Sequence, residues 1–396
     1  MAKICIVGFG CIGSGTYEII RKNARSIERK SGEETDIKYI VDIRDFSSHM
    51  ESRLFTDDFD KVLNDDEVSV VVETIGGIEP AYSYTKAALE RGKSVVTSNK
   101  ELVAIKGDEL FKIAADHGVK YLYEASVGGG IPIIRPILTS LGSSEIDEIS
   151  GILNGTTNYI LTEMFKNGQS FGDALKEAQR LGYAERNPSA DVDGFDTGKK
   201  ISILSSMIIG KKVNHEDVHT VGITAISSDD TKYAEHLGYS IKLIGRFKST
   251  DDGYEVFVEP MLVKNGSPLA SVEDVFNGIF VKGDMVGEAM FYGRGAGKLP
   301  TASAVVADVI EAVRGAKDEP VIPWTPCDKK IIKDYDDVKA SFLVRTADTD
   351  SARAVFGIDA VRIKDGECAF VTDTMSVREL DERLAGLDVK SRFMFF

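Results

Sequence analysis

The first part of the chain, up to about residue 130, alternates short apolar runs with amphipathic segments. The apolar run in KICIVGFG predicts a buried strand that begins almost at residue 1, and the periodic stretch GSGTYEIIRKNARSIERK predicts a helix after it. Further strands are predicted in TDIKYIVDIRD, EVSVVVETIGG, KSVVTSN and GVKYLYEASV, and helices in AYSYTKAALERG and GDELFKIAADHG. Strands that alternate with helices indicate an α/β fold with a Rossmann-type, doubly wound parallel sheet.

The pattern changes after GGGIPIIRP, where strands and helices no longer alternate regularly. Amphipathic helices are predicted in TTNYILTEMFKNG and FGDALKEAQRLG, strand-like pieces dominate from about 219 to 295, and a periodic helix follows in TASAVVADVIEAVRG. The proline-rich stretch DEPVIPWTPCDKK is typical of a linker. We therefore predict a dinucleotide-binding domain over 1–135 with the late helix at about 300–316, an α+β substrate and dimerisation domain over 136–299, and a linker over 317–337.

The C-terminal part, residues 338–396, has the element order βαββαβ. Strands are predicted in KASFLVRT and VKSRFMFF, a short helix in DSARAVFG, and a hairpin that turns at Asp365 and Gly366. A second helix begins at Ser376 with Glu379 three residues later, the pattern of a capping box. This order is typical of the split βαβ of ferredoxin-like modules. We expect the module to be separable from the catalytic body and, because about 60 residues bury little core alone, to pair with a second copy or pack on the body.

Composition and charge limit the partners of the chain. Its 396 residues, 43% hydrophobic and 28% charged, are those of a globular protein with two or three domains. The net charge of −15 argues against nucleic acid or an anionic membrane as the main partner. No apolar run reaches the roughly 18 residues that span a bilayer, and no signal sequence is evident. The four cysteines form no CxxC pair, which fits a reducing compartment, so we expect a cytoplasmic protein.

The stretch GFGCIG places Gly8, Gly10 and Gly13 in the pattern G-x-G-x-x-G, directly after a predicted strand and at the start of a predicted helix. This context is the one in which the motif binds a dinucleotide. The first glycine permits the tight turn, the second lets the pyrophosphate approach the backbone, and the third lets helix and strand pack closely. Cys11 and Ile12 complete the helix N-terminus, whose positive end favours phosphate.

The end of the second strand, VDIRD, bears on the choice between NAD and NADP. Asp42 would bind a ribose hydroxyl and favour NAD, whereas Arg44 would bind the 2′-phosphate of NADP. Side chains alternate between the faces of a strand, so only one of the two need point toward the ribose. The sequence leaves both cofactors open.

Several stretches, in consecutive order from about residue 3 to 315, resemble the homoserine dehydrogenase family. They are VVETIGGIEPA, VVTSNKELVA, YEASVGGGIPIIRP, GILNGTTNYILTEM, AQRLGYAERNPSADVDGFDTGKKISIL and FYGRGAGKLPTASAVVAD. The resemblance implies a reversible, NAD(P)-dependent reduction of L-aspartate 4-semialdehyde to L-homoserine in the threonine and methionine branch. It also implies a homodimer or higher homo-oligomer, with a nucleotide domain and a homoserine domain facing each other across a cleft. Because the first strand begins at Lys3, a monofunctional enzyme without a preceding kinase domain is expected.

The resemblance implies that the substrate site lies in GYAERNPSADVDGFDTGKK. Homoserine offers an ammonium, which needs acids, and a hydroxyl, which needs a group that takes and returns a proton. Glu185, Asp191 and Asp196 match acids of the family's substrate site, Lys200 matches its catalytic lysine, and Asp196 is also expected to take part in catalysis. Asn187 stands where the family often has an acid, so hydrogen bonding at the mouth of the site is expected to differ.

Helical periodicity also separates Lys200 from Lys199. In DTGKKISILSSMI, Lys200 shares a helix face with Asp196 at i−4 and with the apolar Ile203 and Leu204, whereas Lys199 shares its face with serines. We therefore expect Lys200 at the edge of an apolar stripe, beside an acid. The alternative is a surface lysine in an i,i+4 ion pair, which stabilises a helix by less than about 0.5 kcal/mol.

Lys100 follows the strand predicted in KSVVTSN, at the strand end where open α/β sheets bind ligands. The resemblance implies that Lys100 is the second lysine of the cleft, with a part in catalysis, substrate binding and cofactor binding. It also implies that Thr97 and Ser98 meet the nicotinamide ribose. The alternative for Lys100 is a surface lysine at a helix start. Glycines of later loops are expected to contact the cofactor as well, namely Gly182, Gly295 and Gly297.

The stretch YEASVGGGIP combines an acid with a glycine turn. Such a segment offers one carboxylate and several carbonyl groups, a ligand set that hard monovalent or divalent cations accept. The resemblance implies a sodium-type cation held by the Glu124 side chain and the carbonyl groups of Val127, Gly129 and Ile131. The alternative is a tight interdomain hinge without a metal.

The sequence bears on four rival functions. HEDVH, residues 215–219, spells the zinc-hydrolase motif H-E-x-x-H, but it follows a polar stretch, and we expect only a helix capped by Asn214. An aspartate-semialdehyde dehydrogenase would need a nucleophilic cysteine in mid-chain, and none lies between Cys11 and Cys327. Another NAD(P)-dependent dehydrogenase of amino-acid metabolism is the alternative enzyme. An amino-acid-sensing protein is the alternative of another class, because the C-terminal module resembles ACT-like regulatory modules, although it has RTADTDSARAV in place of their D-x-P-G effector loop.

Overall fold

The chain folds into two compact units, each built from several segments of sequence. The computed structural model describes residues 1–315, 324–326, 331–357 and 361–396. Unit 1 comprises Met1–Ser143, Ser202–His215 and Gly293–Asp328, and unit 2 comprises Ser144–Ile201, Glu216–Tyr292 and Lys329–Phe396. The four-part domain division stays a prediction, and its linker over 317–337 lies partly outside the described residues, as does Cys327.

Strands and helices are numbered in chain order. The strands are Ala2–Val7 (β1), Thr35–Val41 (β2), Phe55–Thr56 (β3), Val68–Glu73 (β4), Ser94–Thr97 (β5), Tyr121–Leu122 (β6), Ile146–Ile152 (β7), His219–Thr220 (β8), Tyr239–Thr250 (β9), Gly253–Lys264 (β10), Phe276–Gly283 (β11), Gly287–Arg294 (β12), Lys339–Ala340 (β13), Phe342–Thr346 (β14), Cys368–Val371 (β15), Met375–Ser376 (β16) and Val389–Phe395 (β17). The helices are Cys11–Lys22 (α1), Ala24–Ser31 (α2), Phe59–Leu63 (α3), Ala81–Glu90 (α4), Lys100–Asp116 (α5), Gly155–Asn167 (α6), Phe171–Arg180 (α7), Ser189–Val192 (α8), Phe195–Ile209 (α9), Ser228–His236 (α10), Lys298–Arg314 (α11), Thr349–Phe356 (α12) and Val377–Leu384 (α13).

Unit 1 contains a six-stranded parallel sheet with the order β3-β2-β1-β4-β5-β6. Near-continuous apolar runs form its strands, because a parallel sheet is covered on both faces. The core combines strand residues such as Ile6 and Val72 with Val305 of α11. The predicted doubly wound sheet is confirmed. Its strand order reverses between β1 and β4, which pair with Val7 opposite Glu73, and such sheets bind ligands at this point.

The predicted helix after the glycine loop is two helices. α1 ends at Lys22, Asn23 has φ −108° and ψ 18°, and α2 begins at Ala24. The prediction of one continuous helix is wrong here, because apolar periodicity does not register a break of a single residue. α1 also packs closely on α11, since a Cβ at Gly15 would lie 2.9 Å from the carbonyl oxygen of Lys298.

Unit 2 contains a mixed sheet with the path β12-β11-β7-β9-β10-β17-β14-β15, and β8 pairs with β10. β9 and β10 form a long antiparallel pair, from Tyr239 opposite Lys264 to Thr250 opposite Gly253. The sheet continues from β10 to β17 in parallel. The predicted α+β character of this part of the chain is confirmed.

The C-terminal module extends the sheet of unit 2 through β17, β14 and β15. Phe342, Val344 and Met394 of the module join Phe257 and Met261 of β10 in one buried cluster. The expectation that the module packs on the body agrees with this shared core. The expectation that the module is separable does not agree with it, because removal of the module would expose the apolar face of β10 to water.

Local predictions agree with the structure to different degrees. Ser376 and Glu379 form the predicted capping box at the start of α13. The strand predicted in GVKYLYEASV is shorter, because β6 ends at Leu122 and a 3-10 helix covers Glu124–Ser126. In the predicted hairpin, Gly366 has φ +79°, and residues 358–360 lie outside the described part of the chain. Within the described residues, no helix combines the length and the apolar character that crossing a membrane requires.

Candidate active site

The loop between β1 and α1 has the geometry that a pyrophosphate needs. Gly8 has φ +92°, a backbone conformation that favours glycine. A Cβ at Gly13 would lie 1.9 Å from the carbonyl oxygen of Gly8, whereas a Cβ at Gly10 would meet nothing within 4 Å. The N–H groups of the first turn, including Cys11 and Ile12, have no acceptor within the helix, and Gly10 supplies no side-chain cap. An open backbone at a helix N-terminus is suited to bind phosphate.

Asp42 comes directly after β2, at the strand end where this fold binds the ribose of a dinucleotide. Its carboxylate accepts the N–H of Phe9 at 2.7 Å and the Nε and Nη2 of Arg44 at 2.9 and 2.7 Å. The bond from Arg44 is the main reason that the pKa of Asp42 lies well below its ordinary value. Asp42 is therefore ionised at neutral pH and paired with Arg44.

A buried acid orders the carboxyl ends of β4 and β5. Glu73, 1% exposed, accepts the hydroxyl of Thr97 at 2.6 Å and the N–H of Ile75 at 2.7 Å. Asn99 donates its N–H to the hydroxyl oxygen of Thr97 and caps α5 through the N–H of Leu102. Burial raises the pKa of Glu73. These bonds fix the two loops that follow β4 and β5, and sequence reasoning missed both Glu73 and Asn99.

Lys100 is the first residue of α5, and both it and Ser98 are half-buried. They follow β5, as Gly8 follows β1 and Asp42 follows β2. The carboxyl ends of parallel strands lie at one edge of a sheet. Unit 1 therefore brings the glycine loop, the acid after β2 and the loop after β5 to the same edge.

Backbone donors occupy the carboxylate of Glu124. This side chain, 3% exposed, accepts the N–H groups of Ile133, Ile134 and Arg135 at 2.6, 2.8 and 2.8 Å. The N–H of Glu124 donates to Asp308 at 2.8 Å, and burial together with the Glu124 carboxylate raises the pKa of Asp308 to about 8. The Glu124 carboxylate thus stabilises a backbone turn. Ligation of a cation by this side chain, implied by the resemblance, does not fit these contacts.

The carbonyl groups of the same loop fit a cation better. Within the described part of the chain, no N–H or O–H donates to the carbonyl oxygen of Val127, Gly129 or Ile131. Gly129 has φ +58°, and a Cβ there would lie 2.1 Å from the carbonyl oxygen of Gly295. Carbonyl oxygens without a donor are ligands that hard cations accept.

The loop between β12 and α11, which carries Gly295 and Gly297, lies against the turn at Gly129 within unit 1. The N–H of Gly130 donates to the carbonyl oxygen of Arg294 at 3.1 Å. Gly297, the residue before α11, has φ +118°. The backbone at Gly295 therefore approaches a turn in which Gly129 leaves no room for a Cβ, and Gly297 adopts a conformation that favours glycine.

In unit 2, Lys200 and Asp196 lie one helical turn apart on α9. The Nζ of Lys200 donates to Oδ2 of Asp196 at 2.7 Å and to the carbonyl oxygen of Leu153 at 2.7 Å. Lys200 is 8% exposed and Asp196 is 4% exposed. The helical phase predicted from the sequence agrees with this arrangement, since Lys200 is buried beside Asp196 while Lys199 is half-buried.

Asn154 connects Asp196 to Asp191. It is the N-cap of α6, where its Oδ1 accepts the N–H of Thr157 at 2.9 Å. Its Nδ2 donates to Oδ1 of Asp191 at 2.7 Å and to Oδ2 of Asp196 at 2.9 Å. Sequence reasoning missed Asn154. The available signal was an asparagine directly before an amphipathic run, which is an N-cap pattern.

Glu185 is exposed and stands apart from this network. Within the described residues, no hydrogen bond links its carboxylate to Asp191 or Asp196. Asn187 accepts the hydroxyl of Ser189 at 2.9 Å at the start of α8, the short helix that carries Asp191. Asn187 thus has a local role in the segment that presents Asp191.

The H-E-x-x-H stretch does not form the expected helix. His215–Asp217 is a 3-10 turn, and His219 belongs to β8. The ring of His219 stacks on Tyr335 with 3.6 Å between ring centroids. The two histidines therefore do not share a helix face. Across the part of the chain that the structure describes, no three or more His, Cys, Asp or Glu side chains are grouped so that they could hold a metal ion.

The predicted residues form two groups, one in each unit. The group in unit 1 has the features of a dinucleotide site. The group in unit 2 places two carboxylates and a lysine around one buried amide, which suits binding of an ammonium and transfer of a proton. Gly182, also in unit 2, follows α7 with φ +78° and is exposed.

Two known protein families match the sequence. The family described as homoserine dehydrogenase matches residues 132–310. The family described as homoserine dehydrogenase, NAD binding domain, matches residues 8–124. Together the two matches span most of the chain.

Individual relatives and solved structures point the same way. The homoserine dehydrogenase of Synechocystis is 45% identical over 320 residues, which is 78% of this chain and 73% of the relative. The homoserine dehydrogenase of Helicobacter pylori is 39% identical over 360 residues, which is 91% of this chain and 85% of the relative. The crystal structure of a homoserine dehydrogenase from Thiobacillus denitrificans has a TM-score of 0.92 at 34% identity and covers 100% of this chain and 98% of its own. A hyperthermophilic archaeal homoserine dehydrogenase in complex with NADPH has a TM-score of 0.66 at 28% identity and covers 78% of this chain and 97% of its own.

Proposed function

The chain belongs to the homoserine dehydrogenase family, and from this premise we propose which of its residues bind the substrate and which transfer the proton. The protein is an NAD(P)-dependent oxidoreductase that acts on the CH–OH group of L-homoserine and reversibly forms L-aspartate 4-semialdehyde. When bound, the nicotinamide cofactor accepts the hydride from that carbon. The chain itself must hold the substrate and accept the hydroxyl proton.

Lys200 is proposed to take the hydroxyl proton during oxidation and to return it during reduction. The supporting observation is that its Nζ is held at a defined point by two bonds of 2.7 Å, one to Asp196 and one to the carbonyl oxygen of Leu153. A proton-transfer group acts efficiently when its position is fixed. Asp196 compensates the charge of the protonated amine. This pair carries the proposal, because both members are buried, unlike the partners of an ordinary surface ion pair.

Asp191 and Asp196 are proposed to bind the substrate ammonium. Both carboxylates approach a single atom, Nδ2 of Asn154, at 2.7 and 2.9 Å. An ammonium beside them would therefore gain from two carboxylates at once. Glu185, exposed on the loop after α7, is proposed to join them when substrate is bound. Lys100 is proposed to contact both substrate and cofactor and to take part in catalysis.

The dinucleotide is proposed to bind along the carboxyl edge of the parallel sheet in unit 1. The support is the open backbone at Gly10, the uncapped start of α1 and the ordered loops after β4 and β5. The proposed contacts are Gly8, Gly10, Cys11, Ile12, Gly13, Arg44, Thr97, Ser98, Lys100, Gly182, Gly295 and Gly297.

NAD is the proposed preferred cofactor. Asp42 is ionised and already paired with Arg44. A ribose 2′-hydroxyl would find an acceptor there, whereas a 2′-phosphate would meet a negative charge and would have to draw Arg44 away from Asp42. Turnover with NADP is expected at a lower kcat/KM.

A monovalent cation of the sodium type is proposed on the carbonyl groups of Val127, Gly129 and Ile131. Their lack of donors within the described residues supports this ligand set. Glu124 is proposed to support the loop through its three N–H bonds instead of contacting the cation with its side chain.

Assembly, location and domain organisation are also proposals. We propose a homodimer or a higher homo-oligomer formed through the homoserine domain, as the resemblance to the family implies. The net charge of −15 supports the absence of a nucleic-acid partner, and the lack of a CxxC pair among the four cysteines supports a cytoplasmic location. The proposed division is a nucleotide domain over 1–135 and about 300–316, a homoserine domain over 136–299, a linker over 317–337 and a C-terminal module over 338–396.

Steady-state kinetics test the proposed site. The purified protein is assayed with L-homoserine and either NAD or NADP, and the absorbance of the reduced nicotinamide is followed. Asp191→Asn and Asp196→Asn should each raise the KM for L-homoserine about tenfold or more, because each removes one charge from the ammonium site. The Kd for NADH, read from nicotinamide fluorescence, should not change. Wild-type KM values in both variants would contradict the proposed roles.

A further inference from the structure

Asn154 is a buried asparagine whose two side-chain polar atoms both have partners. It is 6% exposed, and its Nδ2 donates to Asp191 at 2.7 Å and to Asp196 at 2.9 Å. Its Oδ1 accepts the N–H of Thr157 at 2.9 Å in the first turn of α6. The two acids are 37 and 42 residues away along the chain. One side chain thus joins α6 to both acid-bearing segments.

The neighbours of Asn154 allow only one orientation of its amide. In the opposite orientation, Oδ1 would face two carboxylates and Nδ2 would face the N–H of Thr157. Acceptor would then oppose acceptor, and donor would oppose donor. The side chain is therefore a double donor to the acids and an acceptor for the helix at the same time.

A neutral double donor suits this position for an electrostatic reason. Two carboxylates close together repel each other, and one of them tends to take up a proton. An amide that donates to both holds them near one point without adding charge. Asp191 and Asp196 are then held together at the point where the substrate ammonium is proposed to bind.

The helix that carries Asn154 is itself anchored one turn later. The Nδ2 of Asn158 donates to the carbonyl oxygens of Val272 and Asp274 at 3.2 and 3.0 Å, and its Oδ1 accepts the Nζ of Lys242 at 3.1 Å. Lys242 is 4% exposed and also donates to Val272 at 2.6 Å. The start of α6 is thus held independently of the acids, so the amide of Asn154 is a fixed reference point for them.

We propose that Asn154 is a positioning residue that sets the spacing of Asp191 and Asp196 and thereby shapes the site for the substrate ammonium. The inference rests on the roles proposed above for these two acids. Asn154 acts through them and determines the affinity for the amino group of L-homoserine, beyond its role as the cap of α6.

The central test variant is Asn154→Asp. Aspartate has nearly the same shape and is a good N-cap, so the start of α6 is kept. Both donors are lost, and a third carboxylate faces Asp191 and Asp196. We expect the KM for L-homoserine to rise about tenfold or more, with a smaller fall in kcat. The acid limb of the pH profile of kcat/KM should move to higher pH, because three close carboxylates hold a proton more tightly.

A reciprocal exchange sharpens the test. In the double variant Asn154→Asp, Asp191→Asn, the amide lies at position 191 and the carboxylate at position 154. A hydrogen bond between the two positions can then form again, with donor and acceptor exchanged. If the amide–carboxylate bond matters, the double variant recovers part of the KM lost in Asn154→Asp, so the two effects are not additive. A purely additive loss overturns the proposal.

Controls separate positioning from capping and from misfolding. Ser170 caps the neighbouring α7 through the N–H of Asp173, so Ser170→Ala removes an N-cap in unit 2 without touching the acids and should leave the KM unchanged. Asn154→Ser keeps a shorter cap and provides a second variant if Asn154→Asp does not fold. Thermal unfolding and NADH binding report whether each variant is folded.

The outcomes distinguish the inference from the function on which it rests. If Asp191→Asn and Asp196→Asn raise the KM but folded Asn154→Asp and Asn154→Ser keep the wild-type KM and pH profile, Asn154 is only a cap and the inference is overturned while the site stands. If Asp191→Asn and Asp196→Asn leave the KM unchanged, the proposed roles of the acids fail, and the inference fails with them. A raised KM in the acid variants and in Asn154→Asp, with partial recovery in the double variant, supports both.

Discussion

The amine of Lys200 lies 2.7 Å from the carboxylate of Asp196 on the same helix, and both side chains are almost fully buried. This relationship makes Lys200 the residue whose loss should affect chemistry most. We expect Lys200→Ala to lower kcat by about 10² or more, since a positioned acid–base group contributes on that scale in the transition state. Steady-state kinetics in both directions measure the effect, and NADH titration should show unchanged cofactor binding.

Lys199→Ala is the matched control for Lys200→Ala, because it removes an identical side chain from the adjacent position on α9. We expect its kcat to stay within about threefold of the wild type, since Lys199 is half-buried whereas Lys200 is buried beside Asp196. Equal losses in the two variants would mean that neither lysine is specifically placed for proton transfer.

The two glycines after Gly8 should respond differently to alanine. A Cβ at Gly10 meets nothing within 4 Å, so Gly10→Ala should fold normally but lower cofactor affinity about tenfold or more, because the methyl group occupies the approach of the pyrophosphate. A Cβ at Gly13 would lie 1.9 Å from the Gly8 carbonyl oxygen, so Gly13→Ala should lower the free energy of unfolding by about 2 kcal/mol or more. Thermal unfolding and NADH titration separate the two effects. Similar losses of stability in both variants would contradict this interpretation of the loop.

Replacement of Asp42 should change the cofactor preference. Asp42→Ala removes the acceptor for the ribose 2′-hydroxyl and releases Arg44, which donates two side-chain bonds to Asp42. We expect the ratio of kcat/KM for NAD to that for NADP to fall about tenfold, because a 2′-phosphate then meets only the guanidinium. Arg44→Ala is the control, which should lower activity with NADP more than with NAD. An unchanged ratio in Asp42→Ala would place the ribose elsewhere.

Glu259 should make stability depend on pH. It is buried on β10 and accepts the hydroxyl of Tyr335, and burial raises its pKa from 4.5 to about 7. A carboxyl whose folded-state pKa is raised stabilises the fold when protonated, so this contribution is present below about pH 4.5 and is lost as the pH rises through 7. The loss is on the order of 3 kcal/mol.

Glu259→Gln removes this titration and keeps an acceptor for Tyr335. Denaturant unfolding of both proteins at several pH values measures the difference in free energy of unfolding, in which the contributions of other titrating groups cancel. The wild type should lose stability relative to the variant between about pH 5 and pH 8. Parallel pH profiles for the two proteins would show that Glu259 does not titrate in this range.

Features set by one segment of sequence could be predicted, whereas contacts between distant segments could not. The parallel sheet of unit 1 follows from apolar runs and a glycine loop, and the burial of Lys200 follows from the periodicity of one helix. Asn154 was missed because its partners are 37 and 42 residues away, and a single sequence carries no signal of that contact. The three N–H donors on Glu124 come from a turn about ten residues later, so the sequence alone does not show that its carboxylate already has these partners.

The C-terminal module illustrates the same limit at a larger scale. Its element order could be read from local patterns, and the capping box of Ser376 and Glu379 is present. The packing of the module on the body could not be read from the sequence. An apolar strand has the same sequence pattern whether its own module or another part of the chain covers it. Met394 lies opposite Met261, about 130 residues away, and the two strands share one core.

This pairing has a consequence for biosynthesis. β17 lies inside the sheet of unit 2, between β10 and β14, and the N–H of Phe396 donates to the carbonyl oxygen of Leu262 at 2.9 Å. A ribosome that adds roughly 5–20 residues per second needs on the order of ten seconds to pass from β10 to β17. During that interval the part of the β10 edge at Met261 and Leu262 stays open to pairing with other chains, which is a recognised route to aggregation. The strands β1 to β5 of unit 1, by contrast, lie within the first 97 residues. Nascent unit 2 is therefore the part of the protein that should depend on chaperones when it is produced at high level.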